Sequence, residues 1–235
     1  MKYRHLFFDL DHTLWDFDAN ARLTLHELYE ELKLREIGID DFDNFHTRYL
    51  IHNELLWARY RNGTLRVDEL RWKRMHLTLL DFKIGNEALA KELGTRFLDL
   101  LPTRNILFPG ALEILQVLRE RNYMLHIITN GFETTQHSKL KTSGLAPLFT
   151  EVITSEGSNS LKPKKEIFEY ALRKAGASVE QSIMIGDNIE VDIAGAKNAG
   201  MDQVFVNHID AETSISPTYT VRSLHELDPI FSGWH

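Results

Sequence analysis

The sequence predicts an α/β fold in which a doubly wound parallel sheet carries an inserted block of helices. Two observations support this prediction. Short apolar runs alternate with helical patterns from residue 106 onward, whereas residues 17–105 contain helical patterns alone. The chain has 235 residues, which suits one large domain or a core with one insertion.

The strands are predicted from short apolar runs bounded by polar or glycine positions. Such runs are typical of strands that are buried on both faces of a parallel sheet. The first run, residues 6–10, is interrupted by Asp9. The others are residues 124–129, 152–154, 182–185 and 203–206.

Helices are predicted between these strands because apolar residues recur there at helical spacing. Leu112, Leu115 and Leu118 lie three residues apart, and Gly176 is a typical residue for ending a helix. Alternation of strand and helix predicts right-handed βαβ units. The predicted helices are residues 111–121, 132–144, 164–176 and 191–200.

Residues 17–105 form the predicted insertion, which we expect to be a domain of its own. The remaining residues, 1–16 and 106–235, form the predicted core. A helical block that follows a strand with two acids is expected to act as a lid over them. Its amphipathic stretches are residues 19–34, 42–61, 67–82 and 86–101.

Composition excludes several classes of site and partner. The chain has no Cys, which excludes disulfides, thiolate-bound zinc and a cysteine nucleophile. A net charge of −7 argues against binding to a nucleic-acid polymer or an anionic membrane. No apolar run approaches the roughly 20 residues of a membrane helix, and acids in the first run argue against a signal peptide. We therefore expect a cytoplasmic protein with a small-molecule partner.

Polar residues capable of chemistry follow four of the predicted strands. Because the carboxyl ends of parallel strands meet at one edge of a sheet, we expect these side chains to converge. The residues are Asp9 and Asp11 after the first strand, Thr129 and Asn130 after the second, Lys162 after the third, and Asp187 and Asp192 after the fourth.

Four carboxylates at one edge would repel one another unless a cation lay among them. Oxygen donors without thiols favour Mg²⁺. With a lysine and short polar donors alongside, such a site suits a phosphoryl group. One carboxylate could attack phosphorus, and a second two residues further on could transfer protons.

The motifs themselves resemble those of the haloacid-dehalogenase-like hydrolase superfamily. Residues 9–14, Asp-Leu-Asp-His-Thr-Leu, resemble its DxDxT signature, and Thr129-Asn130-Gly131 resembles its second motif. Lys162-Pro163 resembles the third, and residues 186–192, Gly-Asp-Asn-Ile-Glu-Val-Asp, resemble the fourth. The resemblance implies a Rossmann-like sheet with an α-helical cap domain between the first two motifs.

The resemblance also implies a role for each acid. Asp9 would be the nucleophile and a Mg²⁺ ligand. Asp11 would be the general acid and base, with its backbone carbonyl on the metal. Asp187 would bind Mg²⁺ directly, while Asp192 would orient water or Lys162.

In the same scheme, the phosphoryl oxygens would be held by Thr129, by Lys162 and by the amide of Asn130. Lys162 would also neutralise Asp9. Dehalogenases of the superfamily lack an acid at the position of Asp11, since a halide leaving group needs no proton. The sequence therefore predicts a phosphatase or a phosphomutase rather than a dehalogenase.

A narrower resemblance is to the pyrimidine 5′-nucleotidase subgroup, and it implies a nucleoside 5′-monophosphate as the substrate. Asn159 stands where the subgroup often has Gly, and Asn tolerates the left-handed backbone conformation better than most residues. The segments that carry this resemblance are residues 16–18, 56–63, 127–132 and 223–227.

Asn53, Trp57 and Tyr60 are the candidate specificity residues of the cap. Their four- and three-residue spacing places them on one helix face, where an aromatic ring could stack on a base. Packing inside the cap is the alternative for each. The activity could also be that of a sugar-phosphate or phosphoglycolate phosphatase, a phosphomutase or a non-enzymatic phosphate-binding regulator, in a monomer or a homodimer.

Overall fold

The computed structural model describes residues 2–213 and 215–232 and divides the chain into two compact units. The core unit contains Met1–Phe17 and Asn105–His235. The helical unit contains Asp18–Arg104. Within the described residues, no helix is both long and apolar enough to cross a membrane.

The core unit is built on a six-stranded sheet with the order β3-β2-β1-β4-β5-β6, and all its strand pairs are parallel. The first strand lies inside the sheet, and the chain extends from it in both directions. The carboxyl end of β1 is therefore the switch point at which ligands bind in such sheets. The strands are β1 (His5–Phe8), β2 (Met124–Thr129), β3 (Glu151–Thr154), β4 (Ser182–Gly186), β5 (Asp202–Val206) and β6 (Tyr219–Val221).

The predicted fold class is confirmed, and the sheet has one strand more than expected. The edge strand β6 pairs with β5 through three residues, Tyr219–Val221. This segment is too short and too polar to stand out as an apolar run. Its place in the sheet depends on the neighbouring strand rather than on its own composition.

The helical unit consists of helices whose apolar faces pack on one another. Helix α4 crosses α3 at Gly94, where a Cβ atom would lie 2.8 Å from the backbone oxygen of Arg71. A glycine is therefore needed at this crossing. The helices are α1 (Phe17–Glu31), α2 (Phe42–Arg61), α3 (Val67–Asp81) and α4 (Glu87–Leu100).

The helices of the core unit cover the sheet. Phe7 and Met184 on neighbouring strands pack with Ile167 and Phe168 of α8 in one apolar cluster. Full burial of each such side chain contributes roughly 1.5–3 kcal/mol, so the cluster fixes the strand ends in place. The helices are α5 (Ala111–Glu120), α6 (Glu133–Thr142), α7 (Ser155–Ser158), α8 (Lys165–Ala175), α9 (Gly195–Asn198) and α10 (Leu227–Ser232).

Candidate active site

The loop after β1 turns sharply and carries the first two acids. The backbone N–H groups of Leu14 and Trp15 both donate to the carbonyl of Leu10, at 3.0 and 2.9 Å. His12 takes a left-handed conformation with φ of 63°. The tight turn therefore keeps Asp9 and Asp11 at the carboxyl end of the central strand.

Lys162 lies at the centre of the strand-end cluster and is 1% exposed. Its Nζ donates to Oδ1 of Asp9 at 2.6 Å and to Oδ1 of Asp192 at 2.7 Å. A third bond, of 2.7 Å, goes to the backbone oxygen of Ile128. The ammonium thus has an acceptor for each of its three protons.

The backbone of Lys162 is fixed by the side chain of Asn130. The Asn130 amide donates to the Lys162 carbonyl at 2.9 Å and accepts from the Lys162 N–H at 2.8 Å. Both ends of the Asn130 side-chain amide are therefore occupied by the loop that carries Lys162.

Asn159 lies in the same loop. The expectation that it adopts a left-handed backbone conformation is confirmed, because its φ is 53°.

Asp192 lies on a π-helical turn, Ile189–Ala194, that follows β4 where the sequence predicted an ordinary helix. Its Oδ2 accepts from the N–H of Asn188 at 3.1 Å, and the residue is 1% exposed. Gly186 leaves room for it, since a Cβ atom there would lie 2.4 Å from Asp192 Oδ2. Such turns are frequent at functional sites.

Asp187 is fixed by Thr13, which is fully buried. The Thr13 hydroxyl donates to Oδ1 of Asp187 at 2.8 Å and accepts from the Asp187 N–H at 3.0 Å. Carboxylate oxygens of Asp9, Asp187 and Asp192 lie within 4.8 Å of one another. The structure thus brings together three of the four predicted acids in one cluster.

The acidic cluster contains too little positive charge for its three carboxylates. Burial raises the pKa of Asp9 well above its usual range, although Lys162 opposes this shift. Burial and the charge of Asp192 raise the pKa of Asp187 to about 6. Burial would lower the pKa of Lys162, but Asp192 and Asp9 outweigh it and raise that pKa.

The carboxylate of Asp11 is bound by two side chains that the sequence analysis missed. Lys139 Nζ donates to its Oδ1 at 2.5 Å, and Gln136 Nε2 donates to its Oδ2 at 2.9 Å. Burial would raise the pKa of Asp11, but the charge of Lys139 and these hydrogen bonds outweigh it and lower the pKa. A signal was present in the sequence: α6 has a single aliphatic residue, Leu140, so a helix packed on a sheet there must bury polar side chains.

Thr129 ends β2 and is 2% exposed. Its hydroxyl oxygen accepts from the N–H of Gly131 at 3.1 Å, which shapes the turn into α6. The hydroxyl proton is not used in that bond and can be donated to a ligand.

The cap candidates all lie on α2 of the helical unit. Asn53 is buried, and its Oδ1 accepts from Arg74 at 2.9 Å and from the hydroxyl of Tyr49 at 3.4 Å. The rings of Trp57 and Tyr60 are half-buried and lie edge to face with centroids 5.8 Å apart. A role for these three residues in specificity stays a prediction.

Comparison with known proteins adds independent findings to this geometry. The sequence model of the haloacid dehalogenase-like hydrolases matches residues 3–200, which include all four motifs. The chain belongs to the haloacid dehalogenase-like hydrolase family. The predicted membership of this family is therefore confirmed, as is the prediction that the protein is an enzyme.

Two relatives align with nearly the whole length of this hydrolase. Pyrimidine 5′-nucleotidase PynA of Streptococcus pneumoniae (strain ATCC BAA-255 / R6) is 35% identical over 230 residues, covering 97% of this chain and 94% of the relative. Pyrimidine 5′-nucleotidase YjjG of Escherichia coli (strain K12) is 34% identical over 236 residues, covering 98% of each. The predicted resemblance to pyrimidine 5′-nucleotidases is confirmed.

A solved structure also resembles this hydrolase. It is that of the HAD-hydrolase YfnB from Bacillus subtilis bound to magnesium, with a TM-score of 0.89 and 32% identity. The similarity covers 99% of this chain and 100% of the other.

Proposed function

We propose that this hydrolase is a Mg²⁺-dependent phosphatase that cleaves nucleoside 5′-monophosphates, pyrimidine nucleotides above all. The observation that carries the proposal is the cluster in which Lys162 bridges Asp9 and Asp192 beside Asp187. The names of the two relatives support the choice of substrate.

A divalent cation fits the acidic cluster. The donor atoms are all carboxylate oxygens, which Mg²⁺ prefers, and the single ammonium of Lys162 faces three carboxylates. We assign the ligands to Asp9, Asp187 and the backbone carbonyl of Asp11. Both oxygens of Asp192 already accept hydrogen bonds, so we assign it to orienting Lys162. When bound, Mg²⁺ would offset the repulsion between these acids and a phosphoryl group.

Asp9 is the proposed nucleophile. Its Oδ1 is held by Lys162, whereas its Oδ2 accepts no hydrogen bond from the described residues. The free oxygen can form a bond to phosphorus while the ester oxygen leaves, which yields an aspartyl-phosphate. Lys162 fixes the attacking carboxylate and offsets the charge that the phosphoryl group brings.

Asp11 transfers the protons in this scheme. The Asp11 carboxylate, whose pKa Lys139 lowers, first takes up a proton from solvent and then donates it to the leaving oxygen; the resulting carboxylate accepts a proton from the water that hydrolyses the aspartyl-phosphate. The Thr129 hydroxyl and the backbone amide of Asn130 contact the phosphoryl oxygens, because the Asn130 side chain is occupied by Lys162. Asn53, Trp57 and Tyr60 are proposed to contribute specificity from the helical unit.

The test is release of phosphate from a panel of nucleoside monophosphates, sugar phosphates and phosphoglycolate, with Mg²⁺ and with EDTA. We expect the fastest release from pyrimidine monophosphates and loss of activity in EDTA. Release from sugar phosphates or phosphoglycolate alone would retain the chemistry and overturn the nucleotide preference. Transfer of phosphate between sugar positions without release would indicate a mutase, and binding without turnover a regulator.

Asp9→Asn is the most severe single change that we expect. The amide is a poor nucleophile, so kcat with the best nucleotide should fall at least about 10³-fold. Asp99→Asn, an exposed change of the same chemistry on α4, should leave kcat unchanged. Turnover of Asp9→Asn within 10% of wild type would contradict the nucleophile assignment.

A further inference from the structure

One helix of the core unit holds both oxygens of the Asp11 carboxylate. Lys139 and Gln136 lie three residues apart on α6 and therefore face the same way. Lys139 Nζ binds Oδ1 at 2.5 Å, and Gln136 Nε2 binds Oδ2 at 2.9 Å. Two donors from one rigid element restrict both the direction and the plane of this carboxylate.

The two donors are buried. Lys139 is 1% exposed and Gln136 is 2% exposed. The Lys139 ammonium lies 4.1 Å from the centroid of the Trp15 ring. The Gln136 amide fills the space beside Gly131, where a Cβ atom would come within 1.8 Å of Nε2.

Stability of the fold does not explain this arrangement. Burial of an ammonium and a carboxylate costs free energy that their attraction barely offsets, and apolar replacements of such pairs are often neutral or stabilising. Gln136 is held by little else: within the described residues, Asp11 is the one hydrogen-bond partner of its side chain, and its Oε1 is buried without any. Both side chains are therefore directed at Asp11.

We propose that Lys139 and Gln136 are positioning residues that orient Asp11 for its two proton transfers. The proposal rests on the proposed function. In the first transfer the Asp9–phosphorus bond forms, the bond from phosphorus to the leaving oxygen breaks, and that oxygen takes the proton of the Asp11 carboxyl group. In the second, water bonds to phosphorus and gives a proton to Asp11 as the Asp9–phosphorus bond breaks. A carboxyl group fixed in advance transfers a proton at a lower entropic cost.

The leaving group provides the test, because the value of kcat/KM includes only steps up to departure of the alcohol. Phenolate is a more basic leaving group than 4-nitrophenolate and depends more on protonation. The variants are Lys139→Met and Gln136→Met, which retain much of the side-chain length. Lys141→Met is the control, since Lys141 lies on the same helix and is exposed. Each is assayed in Mg²⁺ with phenyl phosphate and with 4-nitrophenyl phosphate.

We expect kcat/KM of Lys139→Met to fall at least about tenfold more with phenyl phosphate than with 4-nitrophenyl phosphate. Gln136→Met should show the same imbalance to a smaller degree, and Lys141→Met should show none. Equal losses with the two esters, or no loss, would overturn the positioning role. Wild-type protein that releases phosphate neither from these esters nor from any nucleoside monophosphate would overturn the proposed function and this proposal with it.

A double variant distinguishes a role through Asp11 from general damage to the fold. If Lys139 acts through Asp11, then Lys139→Met should reduce kcat/KM for 4-nitrophenyl phosphate less than twofold once Asp11→Asn is present. If Lys139→Met lowers kcat/KM as much in the Asp11→Asn protein as it does in the wild type, then Lys139 acts elsewhere and the proposal is refuted.

Discussion

Lys162 in the core unit and Arg74 in the helical unit are both buried cations, and the two have different surroundings. In the core unit, Lys162 binds two carboxylates and a backbone carbonyl. In the helical unit, Arg74 is 2% exposed and donates to one neutral acceptor, Oδ1 of Asn53. Its guanidinium lies 5.3 Å from the centroid of the Phe97 ring, and its Nε and Nη2 atoms have no partner within the described residues.

The difference shows that the groups around a buried charge indicate whether the charge belongs to a reactive site. Lys162 lies beside more carboxylates than its single charge can offset, so its place among these acids indicates a role in chemistry. Arg74 cannot lose its proton, and a neutral amide does little to offset its charge. The helical unit therefore holds unused hydrogen-bond donors, whereas the core unit holds unused carboxylate oxygens.

The largest effect on stability should come from Lys162→Met. This change leaves Asp9 and Asp192 buried without their cation, which should lower the free energy of unfolding by about 3–5 kcal/mol. Urea denaturation in EDTA measures the loss, and Mg²⁺ should restore part of it. Lys165→Met, at an exposed position on α8, should change stability by less than about 0.5 kcal/mol. A loss no larger than that of this control would refute the comparison.

Another buried base, His126, sharpens the comparison because burial favours its neutral form, whereas Lys162 keeps its charge beside two acids. Burial and the nearby His5 lower the pKa of His126 to about 4. The unfolded chain therefore binds the proton more readily, and stability should fall as the pH drops from about 6.5 to about 4. The loss from this one group should reach up to about 3 kcal/mol.

His126→Phe isolates that contribution. The ring of His126 stacks on Phe7 with centroids 4.6 Å apart, and phenylalanine can retain this contact. Urea denaturation at several pH values should show a shallower decline in the variant than in wild type. Parallel declines would show that protonation of His126 does not limit acid stability.

The smallest effect should come from Arg74→Met. Methionine keeps the apolar contact with Phe97 and removes a charge that lacks an acid, so stability should change by less than about 1.5 kcal/mol in either direction. The measurement is urea denaturation in parallel with Lys162→Met. A loss of the same size in both variants would show that the two cations are equally well compensated, and the comparison would fail.

Much of the fold and of the candidate site could be predicted from local patterns. The buried strands are apolar runs, and Asp9, Thr129 and Asp187 immediately follow or end them. Topology alone then brings these residues to one edge of the sheet. The edge strand β6 was missed because three residues carry too weak a pattern.

Other contacts could not be predicted because they join residues far apart in the chain. Lys139 and Gln136 bind a carboxylate more than 120 residues away, and nothing in their own helix identifies that partner. The side-chain amide of Asn130 binds the backbone of Lys162, 32 residues further along the chain, while the phosphate contact of its backbone amide stays a prediction.

The sequence by itself determined the alternation of strands and helices in the core, the residues at the strand ends and the resemblance to a family of hydrolases. These features depend on spacing along the chain, which the sequence contains in full. The tertiary structure alone decided which donor meets which acceptor, because packing selects one rotamer and one partner from many. The bonds between Asp11 and α6, and the unpaired donors of Arg74, belong to that second group.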